Sequence, residues 1–477
     1  MRIDEETAHA ACEARDRRFD GLFFAGVTST RIYCRCVCPA RTAKRENRKI
    51  FSTAAAAERA GFRPCLICRP ELAPGLAPID AAERLAHGAL KRIEAGALEE
   101  LGLEDIADEL GVTSRHLRRV MMETFGAAPI DIAQTHRLLT AKRLLADTDL
   151  SMTDVAFASG FKSLRRFNAL FLERYGLAPS RVRKRGGRAR QQSLRLRLDA
   201  RGRLDAATAF ADMARRGIDG MEAPVGVAGW ARTWAVGSHT GWLTLRFNEG
   251  GVELELSEGL LPAVRQVTSA VRAAFDLDTD IDAIHAALAR HPAFPSEDAA
   301  VRLPGSLDPF ETAVRAVLGQ QVTLEAGRVL GGRLTEKFGA VIETPIPGLN
   351  RLFPSAEKLA NARADEISII GMPRKRGETI QALAAAAMEG KLRLARGAIA
   401  AGRAGLEELP GVGPWTLEYV ALRGLGDPDA FPLGDSALRS AFGDANLGAA
   451  CEAWRPWRGY AAARLWRRHA KDERKAA

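Results

Sequence analysis

The sequence predicts a multidomain, mainly α-helical protein with α+β parts. Its 477 residues suffice for about three domains or more. Six of the seven cysteines lie before residue 70, which indicates one small metal-stabilised segment. Strict apolar–polar alternation is confined to the stretch between residues 194 and 256, whereas helical spacing prevails elsewhere. We therefore expect, in chain order, a small metal-stabilised domain at 1–76, an all-α domain at 80–185, a basic linker at 186–192, an α+β domain at 193–258 and an all-α domain at 259–477.

The composition is that of a globular protein with a polyanionic partner. Hydrophobic residues make up 47% of the chain and charged residues 27%, which is ordinary, and the formal net charge of +10 favours nucleic acid as a partner. The sequence contains neither an 18-residue apolar run nor an apolar signal core at its N-terminus, so we expect no membrane partner and no secretion. Clustered cysteines without a chain-wide disulfide framework indicate a reducing, cytoplasmic location.

The cysteine cluster predicts one zinc ion per chain in the N-terminal domain. The spacing is Cys34-x3-Cys38-x26-Cys65-x2-Cys68, two close pairs separated by a loop, which suits a tetrahedral four-thiolate site. A segment this short also needs a metal to stabilise it. Spacing alone favours a purely structural zinc ribbon. Cys12 has no partner at such a spacing, and we expect it to be a small buried residue.

The residues around these cysteines indicate a chemical role as well. The stretches Tyr33-Cys-Arg-Cys-Val-Cys38-Pro-Ala-Arg, Arg45-Glu-Asn-Arg and Ala60-Gly-Phe-Arg-Pro-Cys65-Leu-Ile-Cys68-Arg-Pro resemble the N-terminal domain of the Ada adaptive-response family. That resemblance implies that Cys34 accepts a methyl group from a DNA methylphosphotriester, with Cys38, Cys65 and Cys68 as the other zinc ligands. Cys36 stands where the family usually has no cysteine, and it is an alternative ligand or acceptor.

The expected charge of this site predicts a switch. Four thiolates on Zn²⁺ have a formal charge of −2, which repels ordinary phosphates but repels an uncharged methyl triester least. Methylation of Cys34 reduces the formal negative charge of the site from −2 to −1, so we expect DNA affinity to rise after repair.

Two similar helical units follow, one from Leu103 to Arg119 and one from Met152 to Phe167. Each is a helix, a glycine turn and a second helix that begins at a serine, and Ile130 to Ala146 is predicted to be a single helix between them. The pair resembles the AraC-type DNA-binding domain. The candidate DNA-binding residues are Arg115, His116, Arg118, Arg119, Lys162, Arg165 and Arg166. The alternative is an ordinary helical bundle with solvated arginines.

The basic segment from Lys184 to Gln192 separates these units from the C-terminal half. Its glycines and cations suit either a flexible arm that touches the DNA backbone or a solvated tether. Beyond it, four stretches alternate as strands: Leu194–Leu198, Trp230–Val236, Trp242–Phe247 and Val252–Leu256. The segment Ala206–Arg216 is predicted to be a helix between the first two.

The stretch Leu409-Pro-Gly411-Val-Gly413-Pro-Trp415 predicts a tight turn that opens a helix from Thr416 to Leu425. Gly411 and Gly413 permit close approach of a partner, and the helix N-terminus suits a DNA phosphate. With Asp435 further along, this stretch resembles the helix-hairpin-helix of the DNA glycosylase superfamily. Further stretches that match the 3-methyladenine glycosylases of the AlkA type are Leu303-Pro-Gly-Ser-Leu-Asp-Pro-Phe310-Glu, Ala316-Val-Leu-Gly-Gln320-Gln321-Val-Thr, Gly371-Met-Pro-Arg-Lys-Arg376 and Trp454-Arg-Pro-Trp457-Arg-Gly-Tyr460.

Two departures from the wider superfamily narrow the resemblance to glycosylases without lyase activity. Trp415 occupies the position at which strand-nicking members have a lysine, so no amine is present there to form a Schiff base. Cys451 is the only cysteine near the C-terminus, which excludes the four-cysteine iron–sulfur cluster of those members.

The resemblance implies roles for four kinds of residue. Asp435 is expected to be the catalytic carboxylate, and the alternative is a helix N-cap before Ser436 and Leu438. The expected walls of the base pocket are Trp415, Tyr419 and Trp466, with core packing as the alternative for the last two. Gln321 takes the position from which the family inserts a wedge into the gap left by a flipped nucleotide, where some members have an apolar residue.

Together these features predict a fusion of a methyl sensor and transcriptional activator with an enzyme. We expect hydrolytic excision of alkylated bases of the 3-methyladenine and 7-methylguanine type, and methyl transfer to Cys34 that switches on sequence-specific DNA binding. The partners would be double-stranded DNA at the nucleoid and, for an activator, RNA polymerase. Two alternatives remain open: a transcription factor whose glycosylase half is an inactive DNA clamp, and a glycosylase that its N-terminal half only recruits to DNA. The Pro-Cys-His-Arg sequence of O6-alkylguanine transferases is absent, so we expect no such activity.

Overall fold

The computed structural model describes residues 4–16, 19–20, 23–51, 54–70, 81–148, 150–183, 193–226, 228–248, 250–294, 300–443 and 446–476. The chain divides into two compact units, each considered by itself below. The first unit comprises Met1–Gly88 and Arg115–Gly126, and the second comprises Ala89–Ser114 and Ala127–Ala477. The segment 71–80 and the basic linker predicted at 186–192 lie outside the described residues. None of the described helices is both long and apolar enough to span a bilayer.

The cysteine-rich domain is a small four-stranded sheet with two helices. The elements are α1 Glu5–Ala14, β1 Phe24–Val27, β2 Ile32–Cys34, β3 Arg48–Phe51, α2 Ala54–Arg59 and β4 Arg63–Pro64. The strand order is β3-β1-β2-β4, with β2 and β4 parallel and the other pairs antiparallel. Apolar side chains on β1, β2 and α2 form one small cluster, and a second cluster joins α1 to the chain around Phe23. The sequence did not predict these strands, each of which has at most four residues.

The region after it is helical, as the spacing of apolar residues predicts. Its elements are α3 Ala81–Glu94, α4 Ala97–Glu100, α5 Leu103–Glu109, α6 Ser114–Phe125, α7 Pro129–Asp147, α8 Met152–Ala158, α9 Leu164–Tyr175 and α10 Pro179–Val182. The single helix that was predicted between the two helix-turn-helix segments is α7. In the second helix-turn-helix segment, Ser163 caps α9 by accepting a hydrogen bond from the Arg166 amide at 3.2 Å. Gly160 makes the preceding turn with φ +83°.

The predicted α+β domain is a five-stranded antiparallel sheet with one helix. Its elements are β5 Ser193–Asp199, α11 Ala206–Arg216, β6 Glu222–Val225, β7 Gly229–Val236, β8 His239–Asn248 and β9 Gly251–Ser257. The strand order is β5-β9-β8-β7-β6. The four strands predicted from alternation are confirmed, and so is the helix Ala206–Arg216. The short edge strand β6, which contains Pro224, was not predicted.

Helices make up the rest of the chain. After a 3₁₀ helix at Glu258–Ala263, they are α12 Val264–Ala274, α13 Ile281–Leu288, α14 Pro309–Leu318, α15 Leu324–Phe338, α16 Ala356–Ala360, α17 Ala364–Ser368, α18 Arg374–Met388, α19 Ile399–Glu407, α20 Pro414–Val420, α21 Ser436–Phe442, α22 Leu447–Glu452 and α23 Arg458–Ala476. The helix predicted from Thr416 to Leu425 is α20 followed by a π-helical turn at Ala421–Leu425.

Three apolar cores organise the second unit. One is continuous from α7, α8 and α9 through the five-stranded sheet to α12. Its buried members include Leu145, Val155, Phe167 and Phe171 from the helices and Leu196, Trp230, Leu245, Leu254 and Val267 from the sheet and α12. The second core lies among α14, α15, α18 and α20, and the third packs α13, α21, α22 and α23 together. The helices that carry the hairpin and Asp435 are therefore fixed by extensive burial.

Candidate functional site

The four predicted zinc ligands converge in the cysteine-rich domain. Cys34 ends β2, Cys38 follows in the next loop, and Cys65 and Cys68 lie in the turn after β4. Parallel pairing of β2 with β4 brings the two segments together, and the Cys65 amide donates to the Tyr33 carbonyl at 3.0 Å. The four sulfur atoms all lie within 4.8 Å of one another. Cys34 is half-buried, Cys38 retains 8% exposure, and Cys65 and Cys68 are buried, so Cys34 and Cys38 are the two less buried members of the set.

The donor set fits zinc. Four sulfur atoms at this separation match the tetrahedral thiolate sites of structural zinc. Three of these thiols compete for protons: hydrogen bonds with Cys38 and Cys68, together with burial, raise the pKa of Cys34, whereas hydrogen bonds with Cys34 and Cys68 lower the pKa of Cys38. A divalent cation would remove this competition, because it stabilises all four thiolates at once.

Cys36 lies outside the four-sulfur group. Its side chain is buried in the apolar cluster of Ala8, Ala11, Cys12 and Phe23, and its Sγ contacts the Asp16 carbonyl oxygen at 3.4 Å. Burial, with a smaller effect of Asp20, raises the pKa of Cys36 to about 12. Cys12 is buried as expected. Arg35, which lies between Cys34 and Cys36 in the chain, was not singled out from the sequence. It is 1% exposed, forms an ion pair with Asp20 and donates from Nη1 to the Cys68 carbonyl at 3.2 Å.

The candidate DNA-binding cations lie at the start of α6 and at the start of α9. Arg115, Arg118 and Arg119 are exposed, and His116 is half-buried with its Nδ1 3.1 Å from Nη2 of Arg119. In the second helix-turn-helix unit, Lys162, Arg165 and Arg166 are all exposed, while Phe167 on the same helix is buried. The amphipathic division of both helices leaves their basic faces open to a partner.

The structure requires glycine at one of the two hairpin positions, Gly411, but not at the other, Gly413. Gly411 has φ +86°, and a Cβ there would lie 2.0 Å from Oγ1 of Thr379, so only glycine fits. Gly413 has an extended backbone and open space around its Cα, so the fold itself does not require glycine there. The hairpin is anchored by Gln320, whose Nε2 donates to the Gly411 carbonyl at 3.0 Å and lies 2.9 Å from Oγ1 of Thr416.

The fold brings Asp435 and the three predicted aromatic residues together. The Asp435 carboxylate accepts hydrogen bonds from Nε1 of Trp415 and Nε1 of Trp466, each at 3.1 Å, and from the Leu438 amide at 3.1 Å. Asp435 is thus the N-cap of α21 and at the same time the acceptor of two indole N–H groups. The rings of Trp415 and Tyr419 stack at 5.0 Å and 24°, and Trp466 meets Tyr419 edge-on at 6.1 Å.

These four side chains line a cavity of about 430 Å³. They are half-buried rather than enclosed in the core, which leaves room for a planar ligand beside them. Gln321 is exposed, with φ +54°, in the turn between α14 and α15. Its neighbours Gly319 and Val322 line the same cavity. The predicted wedge therefore lies in a turn at the edge of the cavity.

The sequence did not point to the charged groups around Tyr419. The hydroxyl of Tyr419 accepts a hydrogen bond from Nη1 of Arg216 at 3.1 Å, and the Arg423 guanidinium lies 5.8 Å from the ring centroid. Asp212 holds both cations, accepting from Nε of Arg216 at 2.9 Å and from Nη2 of Arg423 at 2.8 Å. Burial favours a higher pKa for Asp212, but the two guanidinium groups outweigh it and the pKa lies well below its ordinary value. The sequence of α11 does not predict that Asp212 and Arg216 lie beside Tyr419, since its charged residues have the spacing of an ordinary amphipathic helix.

A second group of buried charges lines the far end of the cavity. Arg232 pairs with Glu311 at 2.6 Å and with Glu222 at 3.4 Å, and Arg315 pairs with both carboxylates at 2.7 Å. Two guanidinium groups thus offset two carboxylates, so this end of the cavity is electrically balanced. These residues come from β6, β7 and α14, and the balanced group ties the sheet to the helical part.

Three family models match the chain in order. They are the metal binding domain of Ada at residues 7–71, a helix-turn-helix domain at 106–185 and the AlkA N-terminal domain at 195–308.

Individual relatives match either the whole chain or one half of it. A probable bifunctional transcriptional activator/DNA repair enzyme AlkA of Mycobacterium tuberculosis is 35% identical, over 98% of this chain and 97% of the relative. DNA-3-methyladenine glycosylase 2 of Escherichia coli is 32% identical over 53% of this chain and 90% of its own length. The bifunctional activator/repair enzyme AdaA of Bacillus subtilis is 31% identical over 35% of this chain and 78% of its own length.

Proposed function

Because this chain belongs to the family of bifunctional transcriptional activator/DNA repair enzymes of the AlkA type, we propose that it repairs alkylated DNA and regulates the response to that damage. The C-terminal half is a DNA-3-methyladenine glycosylase, and the N-terminal half combines a zinc-dependent methyl acceptor with an AraC-type activator. DNA is the partner of both halves. The observation that carries the enzymatic assignment is the Asp435 carboxylate, fixed by two indole N–H groups in an aromatic cavity.

The geometry suits removal of a cationic base by a single carboxylate. A base alkylated on a ring nitrogen already has a positive charge, so it can leave without a general acid, unlike the sugar in an ordinary glycosidase reaction. Asp435 stabilises the oxocarbenium-like sugar and orients the attacking water. Its two indole hydrogen bonds fix the carboxylate before the substrate arrives. The reaction breaks the C1′–N bond, and water supplies the hydroxyl that replaces the base.

The aromatic side chains would select the substrate. Extruding a nucleotide from the duplex costs a few kcal/mol. Stacking on Trp415, Tyr419 and Trp466 returns about 1–3 kcal/mol per base, and a cationic base gains about 0.5–2 kcal/mol more from cation–π attraction. Gln321 fills the gap in the duplex, while the exposed backbone at Gly411 and Gly413 contacts a phosphate. Trp415 offers no amine, so the product is an abasic site and the strand stays intact.

Methyl transfer in the N-terminal half requires one accessible thiolate. Zinc, held by Cys34, Cys38, Cys65 and Cys68, supplies deprotonation of the four thiols at neutral pH. The resemblance to the Ada family assigns the acceptor role to Cys34, which is half-buried. Sγ forms a bond to the methyl carbon, the methyl–oxygen bond breaks, and the phosphodiester anion leaves with the electron pair. The thioether is stable, so each chain reacts once.

The same event would switch the activator on. Loss of one negative charge at the zinc site lowers repulsion of the DNA backbone, and backbone contacts dominate affinity and its salt dependence. The basic faces of α6 and α9 then bind successive major grooves of an operator, and the bound protein contacts RNA polymerase at the nucleoid. In this proposal the methyl-acceptor domain spans 1–76 and the DNA-binding domain spans 80–185. The α+β domain spans 193–258 and the glycosylase domain spans 259–477.

One experiment tests both halves. The zinc-loaded chain is incubated with DNA treated with a methylating agent, and released bases and protein-bound methyl groups are measured in the same samples. We expect continuing release of 3-methyladenine and 7-methylguanine, together with methyl uptake that stops at one per chain. Methyl uptake without base release would favour an activator whose glycosylase half is an inactive clamp. Base release without uptake would favour a glycosylase that is only recruited by its N-terminal half.

A further inference from the structure

The charges next to Tyr419 are balanced in a way that the glycosylase reaction alone does not explain. Two guanidinium groups, Arg216 and Arg423, contact Tyr419 directly. Two carboxylates lie near these guanidinium groups. Asp435 lines the same cavity, and Asp212 accepts hydrogen bonds from both arginines. A cationic base stacked in this cavity would meet two positive charges at its Tyr419 wall. This is an unexpected environment for an enzyme that excises cations.

Asp212 is not among the residues that line the larger cavity. It lines a smaller adjoining cavity of about 180 Å³, together with Arg216, Arg423 and Trp466, and these three also line the larger cavity that holds Asp435. Each oxygen of Asp212 accepts from a different guanidinium group, at 2.9 Å and 2.8 Å. Asp212 thus influences a bound base through Arg216 and Arg423 rather than by contact.

We propose that Asp212 is a specificity-determining residue that admits cationic bases to the pocket by offsetting the guanidinium charge at the Tyr419 wall. This inference rests on the proposed glycosylase function. Without Asp212, the two guanidinium groups would outnumber Asp435, and the net field on a bound base would be repulsive to cations. A third guanidinium group, that of Arg215, also pairs with Asp212 at 3.7 Å and lines both cavities. Asp212 therefore offsets part of the guanidinium charge at this wall, and Asp435 retains its attraction for the oxocarbenium-like sugar. Neutral bases would feel this difference little, since only a charged base responds to it at first order.

The ion pairs also explain why both arginines remain in place. Burial alone would lower the pKa of Arg216, but Asp212 and Tyr419 outweigh it and the pKa lies above its ordinary value. The guanidinium group therefore stays charged and holds the Tyr419 hydroxyl by a fixed hydrogen bond. Asp212 has a structural effect as well as an electrostatic one, so the test must separate the two.

The test is a charge-compensation series in the full-length, zinc-loaded chain. The variants are Asp212→Asn, Arg423→Gln and the double variant. Single-turnover release is measured from duplexes with one 7-methylguanine, a cation, and from matched duplexes with one hypoxanthine, a neutral purine. We expect Asp212→Asn to lower release of 7-methylguanine relative to hypoxanthine by on the order of tenfold to a hundredfold, the effect of one unit charge about 6–12 Å away at an effective dielectric constant of about 20. The double variant has the wild-type net charge, so it should release 7-methylguanine faster than Asp212→Asn.

A matched control comes from another aspartate that caps a helix. Asp280 is the N-cap of α13, accepting from the Ala283 amide at 3.3 Å, and it lines neither cavity. Asparagine preserves such a cap, so Asp280→Asn should leave the preference between the two bases at the wild-type value. Equal loss of both bases in Asp212→Asn, or a double variant as slow as or slower than Asp212→Asn, would reduce Asp212 to a structural residue and overturn the inference. A wild-type chain that releases no 7-methylguanine would overturn the glycosylase function, and this inference with it.

Discussion

The four-sulfur group and the proposed base pocket hold their proposed reactive groups in opposite ways. Cys34 is half-buried among four crowded sulfur atoms, and its neighbours on the chain are buried. Asp435 accepts three N–H hydrogen bonds, two from indole rings contributed by other helices. A nucleophile that is consumed in one reaction needs exposure and a low charge barrier. A carboxylate that must act repeatedly needs a fixed orientation, and the surrounding packing supplies it.

The two sites also differ in how they are assembled. All four sulfur atoms come from two short segments joined by the pairing of β2 with β4. The base pocket draws on α11, α20, α21 and α23, which belong to different apolar cores. Helix α11 packs against the first core, α20 lies in the second, and α21 and α23 lie in the third. Substitutions should therefore act locally in the first site and over a longer range in the second. The following predictions test that contrast, starting with the largest effect.

Cys34→Ser should abolish methyl uptake, because it removes the proposed acceptor thiolate and because Cys65 and Cys68 are buried. Cys36→Ser should take up one methyl group per chain at the wild-type rate, since Cys36 faces the apolar cluster around Cys12 and Phe23. The measurement is transfer of radiolabelled methyl groups from methylated DNA, with zinc content determined for each variant. Methyl groups found on Cys36 in a digest of wild-type protein would contradict the assignment.

Methylation should also tighten binding to operator DNA at constant salt in the wild type and in Cys36→Ser. Cys34→Ser should show one affinity before and after exposure to methylated DNA. Identical affinities in all three proteins would leave repair intact but remove the switch, so the two claims can fail separately.

Asp435→Asn should lower base release by about a hundredfold to a thousandfold, the size of effect expected when one preorganised electrostatic group is lost. Asparagine preserves the N-cap of α21, so the fold and the binding of abasic DNA should persist. Asp280→Asn is the matched control, since Asp280 caps α13 on the exposed surface and is not among the residues that line the cavity. Near-wild-type release of 3-methyladenine by Asp435→Asn would rule out the carboxylate as the catalytic group.

The sequence predicted which residues the fold brings together because they lie in short, characteristic stretches. The spacing of the cysteines predicted the four sulfur atoms that converge, and the hairpin with its spaced aspartate predicted that Asp435 and Trp415 lie together. Asp212 and Arg216 were missed because α11 has the pattern of an ordinary amphipathic helix. Only tertiary packing places one face of that helix against Tyr419.

The same distinction holds for the fold. Alternation predicted the long strands β5, β7, β8 and β9, because five or more residues with one buried face produce a clear period of two. The strands of the cysteine-rich domain have at most four residues and are fixed by their neighbours and by the metal site rather than by pattern. The orientation of Cys36 was undecidable from the sequence for the same reason, since it depends on where α1 packs.

Gly411→Ala should destabilise the glycosylase half by about 2 kcal/mol, because alanine is strained at φ +86° and its Cβ would meet Thr379. Gly413→Ala should cost less than about 1 kcal/mol, since the backbone there is extended and the surrounding space is open. Denaturant unfolding measures the first difference. DNA affinity should fall in both variants, and a fall in Gly413→Ala with unchanged stability would support direct contact between the hairpin backbone and DNA. Equal stability of the two variants would contradict the steric account.

Trp466→Phe should have the smallest effect, a fall of about tenfold in single-turnover base release. Phenylalanine keeps an aromatic ring beside Tyr419 but removes the N–H group that donates to Oδ1 of Asp435, and one hydrogen bond to a charged acceptor is worth about 1.5–3 kcal/mol. We expect the lower end of that range because the Leu438 amide and Trp415 still hold the carboxylate. Trp454→Phe is the control for lost ring volume, since Trp454 is 2% exposed and its Nε1 has no partner among the described residues. That variant should lose stability without losing the rate of base release. Equal rates in Trp466→Phe and the wild type would mean that the indole packs against the pocket without orienting Asp435.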